Sequence, residues 1–216
     1  NEELKYLDVT YKVSALVRDI LLLYNLEYIV KHCEKNELIY KFPFFSFKNL
    51  RNDEGEKISW DIEHIDSSTG NALDKLKDQK LWLNNALVDI PQLLSENLIE
   101  QIQIYLLKEV VSDEFQSLYD EIKKVAKEQN NDDKLKNNIG NLTLLDSKTN
   151  RGYGNALFIT KRRIIIEKDT KGAFIPKLKK NVFLKYTNVN NLKSQWTRED
   201  IELYNNDILT NLSKFL

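Results

Sequence analysis

Asn138-Ile139-Gly140-Asn141-Leu142-Thr143-Leu144-Leu145-Asp146-Ser147-Lys148-Thr149-Asn150-Arg151 decides the fold, because it sets a short apolar strand between two asparagines. Leu142 to Leu145 reads as the strand. Asp146 and Ser147 offer an N-cap for a following helix with Asn150 in its first turn. A single strand needs a partner, and the chain supplies one upstream. Ile58-Ser59-Trp60-Asp61-Ile62-Glu63-His64-Ile65 alternates Ile58, Trp60 and Ile62 with polar neighbours, the pattern of a half-buried strand. It follows the polar turn Asn52-Asp53-Glu54-Gly55-Glu56 and puts a carboxylate directly before a histidine at a strand end.

The rest reads mostly as helix. Residues 71–129, between the two strands, predict three helices with breaks near Asp89-Ile90-Pro91 and Ser112-Asp113; Asn130 to Asp133 is a polar linker. Val13, Leu16, Val17, Ile20, Leu23 and Tyr24 give residues 10–33 the spacing of a long amphipathic helix. Phe42 to Phe47 reads as a packed aromatic connector. Further helices are expected over 155–167 and 198–213. Trp60, Trp82 and Trp196 read as core, Asn155 as a cap or turn residue, and His32-Cys33 carries no assigned function.

Composition narrows the class. With one cysteine and two histidines, neither a four-cysteine nor a two-cysteine, two-histidine zinc site can be assembled, and no internal disulfide can form. A reducing cytoplasm is the default expectation. No apolar run approaches the roughly 20 residues of a membrane span. The chain starts at an asparagine and contains no methionine, so it reads as a piece of a longer protein. The net charge of −1 argues against a general nucleic-acid binder, but the charge is uneven. From Lys148 to Lys185 there are eleven Lys and Arg against only Glu167 and Asp169, a basic patch suited to a phosphate backbone.

The two elements around His64 and from Asn141 to Gly152 resemble the HNH, or ββα-metal, nucleases. In detail they look like the C-terminal HNH domain of GmrSD-type modification-dependent restriction proteins of bacterial phage defence. The resemblance runs from about Ile58 to Tyr186 and includes Asn181-Val182-Phe183-Leu184-Lys185-Tyr186. It implies an α+β, mostly helical fold: a ββα-metal core with a helical insertion between its two strands, and flanking helices. The expected organisation is an N-terminal helical segment over 1–57, a nuclease core over 58–190 with the insertion at 71–130, and a C-terminal helix over 191–216. The resemblance further implies an N-terminal nucleotide-dependent domain or partner subunit, and a bacterial or archaeal host.

The implied roles suit the chemistry of the residues. His64 can take a proton from water near neutral pH. Glu63 and Asn150 offer oxygen ligands to one divalent ion, Mg²⁺ or Mn²⁺, which keeps several waters and binds partly through substrate phosphate. Asn141 would orient His64 or brace the turn. Arg151, Lys161, Arg162 and Arg163 would contact the DNA backbone. Adjacent strand residues face opposite ways, so the strand is expected to break at Glu63-His64 if both side chains are to enter one site. Two departures stand out: Asp66-Ser67-Ser68 replaces the Pro and Gln common in relatives, and Asn150 stands where many such enzymes have His. The alternatives are a degenerate HNH fold that binds DNA without cutting, and an interaction module that docks a partner through its acidic insertion.

Overall fold

The structure, a computed structural model, describes residues 14–37, 60–66, 73–126, 133–146, 155–185 and 194–215. Among these residues there is one sheet, of two antiparallel strands: β1 (Trp60–His64) and β2 (Leu142–Asp146). Ile62 pairs with Leu144 and His64 with Leu142. The alternation read from the sequence shows in the burial, with Trp60, Ile62 and His64 inside and Asp61 and Glu63 partly exposed. The molecule is thus mostly helical with a small sheet, as expected. The helix expected to carry Asn150, the aromatic connector at 42–47 and the turn at 52–56 lie outside the described residues.

A first core forms around this sheet. It gathers Val17, Leu21 and Tyr24 from α1 (Ser14–Lys35), Trp60 and Ile62 from β1, and Leu142, Leu144 and Leu145 from β2. Three later helices complete it: α6 (Phe158–Thr170), α7 (Lys177–Leu184) and α8 (Arg198–Leu212), bringing Phe158, Ile165, Phe183, Ile201 and Tyr204. α8 starts sharply because Thr197 and Asp200 cap each other's backbone reciprocally, a capping box.

The insertion has its own core. The helices α2 (Leu76–Asp89), α3 (Glu96–Leu106) and α4 (Glu114–Val125) bury Trp82, Leu83, Ile102, Tyr105, Phe115 and Ile122 together. The breaks fall where the sequence put them. Pro91 opens a short 3₁₀ turn after α2, and the Ser95 side chain accepts from the Leu98 amide to start α3. On α4, Phe115, Leu118 and Ile122 recur at helical spacing and form its buried stripe.

Hydrogen bonds fasten the insertion to the sheet side of the molecule. The Trp82 indole donates to the Asn155 carbonyl at 3.1 Å. Asp89, at the end of α2, accepts from Thr160 Oγ1 and from Arg163 Nε, both at 2.6 Å. A short α5 (Asp133–Lys136) and a 3₁₀ turn (Ile139–Asn141) then lead back into β2. That turn lies hard against α8. A Cβ on Gly140 would sit 2.1 Å from the Ile201 carbonyl oxygen, so no larger residue fits. No helix among the described residues is long and apolar enough to cross a membrane.

Candidate active site

β1 ends at His64. The Ile65 amide still donates to the Asn141 carbonyl at 2.8 Å, and the chain then bends through Ile65 and Asp66. The break expected at Glu63-His64 is not found: the pairing runs through His64 and the chain bends only beyond it. Cross-strand pairing to Leu142 holds His64 in the pleat, so Glu63 and His64 project from the same sheet end towards opposite faces.

Asn141 is fully buried and braces that bend. Its Oδ1 accepts from the Asp66 amide at 2.9 Å, and its Nδ2 donates to the carbonyls of Asp66 at 3.3 Å and Lys136 at 2.9 Å. One side chain thus ties together the exit of β1, the approach to β2 and the end of α5. The packing of Gly140 on α8 fixes where Asn141 stands.

His64 is largely buried, and its Nε2 lies 3.3 Å from Asn137 Oδ1. Burial pushes its pKa below the usual 6.5, and the nearby Lys161 charge lowers it further; the Asn137 hydrogen bond and the Glu63 charge pull the other way. The net effect keeps the imidazole neutral, the form that can accept a proton.

Glu63 is held by a lysine. Lys161 Nζ sits 2.9 Å from Glu63 Oε1 and donates to the His64 carbonyl at 2.7 Å. The Lys161 side chain is 0% exposed and that of Glu63 13%. Lys161 therefore lies inside the fold and not on the surface that the basic run suggested. A buried ammonium is costly unless its hydrogen bonds are met, and these two charge-assisted bonds contribute to that.

The other basic residues of the run divide in the same way. Arg162 Nε donates to the Phe183 carbonyl at 3.0 Å, and Arg163 binds Asp89, Asn85 and Glu167. Lys185 is buried and paired with Asp200 at 2.7 Å, and Lys179 is buried too. Much of the positive charge between 148 and 185 thus serves the interior, because its acidic partners come from other parts of the chain. Asn150 and Arg151 lie outside the described residues.

The sequence reading missed the roles of Lys161, Asn137 and Asp66. For Lys161 a signal existed: it stands at helical spacing between Phe158 and Ile165 on the buried stripe of α6, an unusual place for a lysine. For Asn137 nothing in the sequence distinguishes it from its neighbour Asn138.

Among the described residues no group of three or more His, Cys, Asp or Glu could hold a metal ion. Glu63 is a single carboxylate with one oxygen engaged by Lys161. This donor set fits only a hard cation that draws most of its ligands from water and phosphate, the habit of Mg²⁺.

Comparison with known families finds a similarity confined to the later part of the chain, to restriction-endonuclease-related domains. Residues 111–211 match the model of a family described as GmrSD restriction endonucleases, C-terminal domain. The match takes in Asn141, β2 and α6 to α8, and begins after β1, so Glu63 and His64 fall outside it. Compared with the span read from the sequence, it starts later and reaches further into α8. No curated protein and no solved structure matches the chain.

Proposed function

We propose that this chain is a metal-dependent endonuclease domain of the HNH, ββα-metal type that hydrolyses DNA phosphodiester bonds, in bacterial or archaeal defence against foreign or modified DNA. The observation that carries the reading is the clasp between the two motif elements. β1 and β2 pair so that His64 lies opposite Leu142, and Asn141 holds the main chain directly after the histidine. The family of residues 111–211 supports the nuclease class.

In this reading His64 is the general base. The contact between Nε2 and Asn137 Oδ1 orients the ring, and the neutral imidazole would take a proton from the attacking water. Asn141 holds the histidine's strand end in place. Glu63 leaves the same sheet end on the face opposite His64, and with Asn150 it would hold one divalent ion, Mg²⁺ or Mn²⁺, whose chemistry would be to polarise a phosphoryl group that spans this end and to neutralise charge on the departing oxygen. Arg151 would steady the phosphate backbone, whereas Arg162 and Arg163, engaged by Phe183, Asp89, Asn85 and Glu167, serve the fold. An N-terminal nucleotide-dependent domain or partner subunit would choose the DNA.

The pairing of Glu63 with Lys161 favours a second reading, a module that binds DNA or a partner without cutting. A plasmid assay separates the two. Nicking that needs Mg²⁺ or Mn²⁺, stops with EDTA and is lost in Glu63→Gln supports the endonuclease. Salt-sensitive DNA binding with no cleavage under any of these metals supports the second reading.

A further inference from the structure

The geometry points to Lys161 as a resident cation of the site, a positioning residue that occupies Glu63 until a divalent ion arrives and that limits how tightly the ion is held. The inference rests on the proposed role of Glu63 as a metal ligand. Three observations carry it. First, the Lys161 side chain is 0% exposed, so its ammonium is not a surface charge that happens to lie near a carboxylate. Second, its ammonium reaches the two adjacent residues of the proposed site: Glu63 through Oε1 at 2.9 Å and His64 through its carbonyl at 2.7 Å. Third, it reaches them from α6, 98 and 97 positions further along the chain, so the contact is made by the tertiary fold and not by local sequence.

Physical consequences follow from charge. With one carboxylate oxygen satisfied by an ammonium, the carboxylate is held in a fixed rotamer, and the bond to the His64 carbonyl pins the same strand end. A divalent ion at Glu63 would stand within a few ångströms of Nζ, where like charges repel strongly in a partly dry environment. The ion must then either use Oε2 beside Lys161 or displace it. Both routes weaken the resting affinity for metal. Substrate phosphate brings compensating negative charge, so the ion is favoured when DNA is present.

The test is Mn²⁺ binding to the full chain, followed by calorimetry or electron paramagnetic resonance, with circular dichroism confirming the fold. Lys161→Met, which keeps length and removes charge, is expected to bind Mn²⁺ about tenfold more tightly than the wild type, since a nearby repulsive charge is gone. Lys161→Arg keeps the charge and should stay near the wild-type affinity. A residue with a merely structural role would leave affinity unchanged or lower it. Unchanged or weaker binding in folded Lys161→Met, with binding still reduced by Glu63→Gln, overturns this inference and leaves the metal reading standing. Binding that ignores Glu63→Gln in both backgrounds removes both. If Lys161→Met does not fold, the Lys161 Nζ signal of the ¹⁵N-labelled wild type serves instead, assigned by its loss in Lys161→Arg. Saturating Mg²⁺ should shift that signal, and a signal unmoved by Mg²⁺ overturns the inference.

Discussion

Asn141 grips Asp66 by both main-chain groups, its Oδ1 accepting from the Asp66 amide at 2.9 Å and its Nδ2 donating to the Asp66 carbonyl at 3.3 Å. Asp66 stands 75 positions earlier, on the far side of the helical insertion. The grip is what makes one structural unit of two motif elements that are distant in sequence. Asn141→Ala would leave the buried Asp66 amide and the Lys136 carbonyl short of partners, at a cost of roughly 2–4 kcal/mol for several lost buried hydrogen bonds. Denaturant unfolding should show that loss, and cleavage should fall with it. Asn141→Asp, which keeps an acceptor for the Asp66 amide but loses both donations, should fall between wild type and Ala.

Gly140 stands beside it for a steric reason. Gly140→Ala would drive a Cβ into the Ile201 carbonyl, 2.1 Å away in the present geometry. Because the obstacle is backbone, the turn or α8 must move, and a cost of about 1–3 kcal/mol is expected by analogy with overpacked cores. Thermal unfolding would report it. A variant as stable as the wild type would show that the turn does not lie against α8.

Lys185 and Asp200 form an ion pair whose side chains are 1% and 0% exposed. Asp200 also accepts from the Thr197 amide and hydroxyl, so it closes the N-terminus of α8 and holds α7 at once. Removing one partner strands a buried charge. Lys185→Met is expected to cost about 3–5 kcal/mol. The double variant Lys185→Met with Asp200→Asn should recover part of this in a double-mutant cycle of denaturant unfolding.

His64 sets a pH dependence of known sign. Its folded-state pKa lies below the usual 6.5, chiefly through burial, with the Lys161 charge adding to the shift and Asn137 and Glu63 opposing it. Below 6.5 the unfolded chain takes up a proton that the folded chain resists. The contribution of His64 to stability is therefore full above 6.5 and lost as pH falls through the folded-state value. Unfolding free energies measured from pH 8 to pH 5 should decline in the wild type, and the part of that decline due to His64 should vanish in His64→Ala. The same shift places the acid limb of the cleavage profile below 6.5.

Much of the fold was legible because it is written in local periodicity. Ile58, Trp60 and Ile62 alternate, Leu142 to Leu145 form an apolar run behind a turn, and Pro91 and Ser112-Asp113 mark helix breaks; β1, β2 and α2 to α4 follow. For Asn141 the family resemblance implied that it would orient His64 or brace the turn, and its bonds to Asp66 and Lys136 are those of a brace. The charge pattern misled. A run of lysines and arginines looks like a surface, but Glu63, Asp89 and Asp200 reach Lys161, Arg163 and Lys185 only after folding. No local rule brings together residues 98 positions apart, so the partner of Glu63 was invisible.

The central claim is that His64 activates water, and cleavage of supercoiled plasmid by the wild type and His64→Ala in Mg²⁺ or Mn²⁺ tests it most directly. With both proteins shown to be folded, the wild type should nick the plasmid, and His64→Ala should be slower by about 10²- to 10⁴-fold, the usual loss on removing a general base. Equal rates in the two proteins would contradict the account.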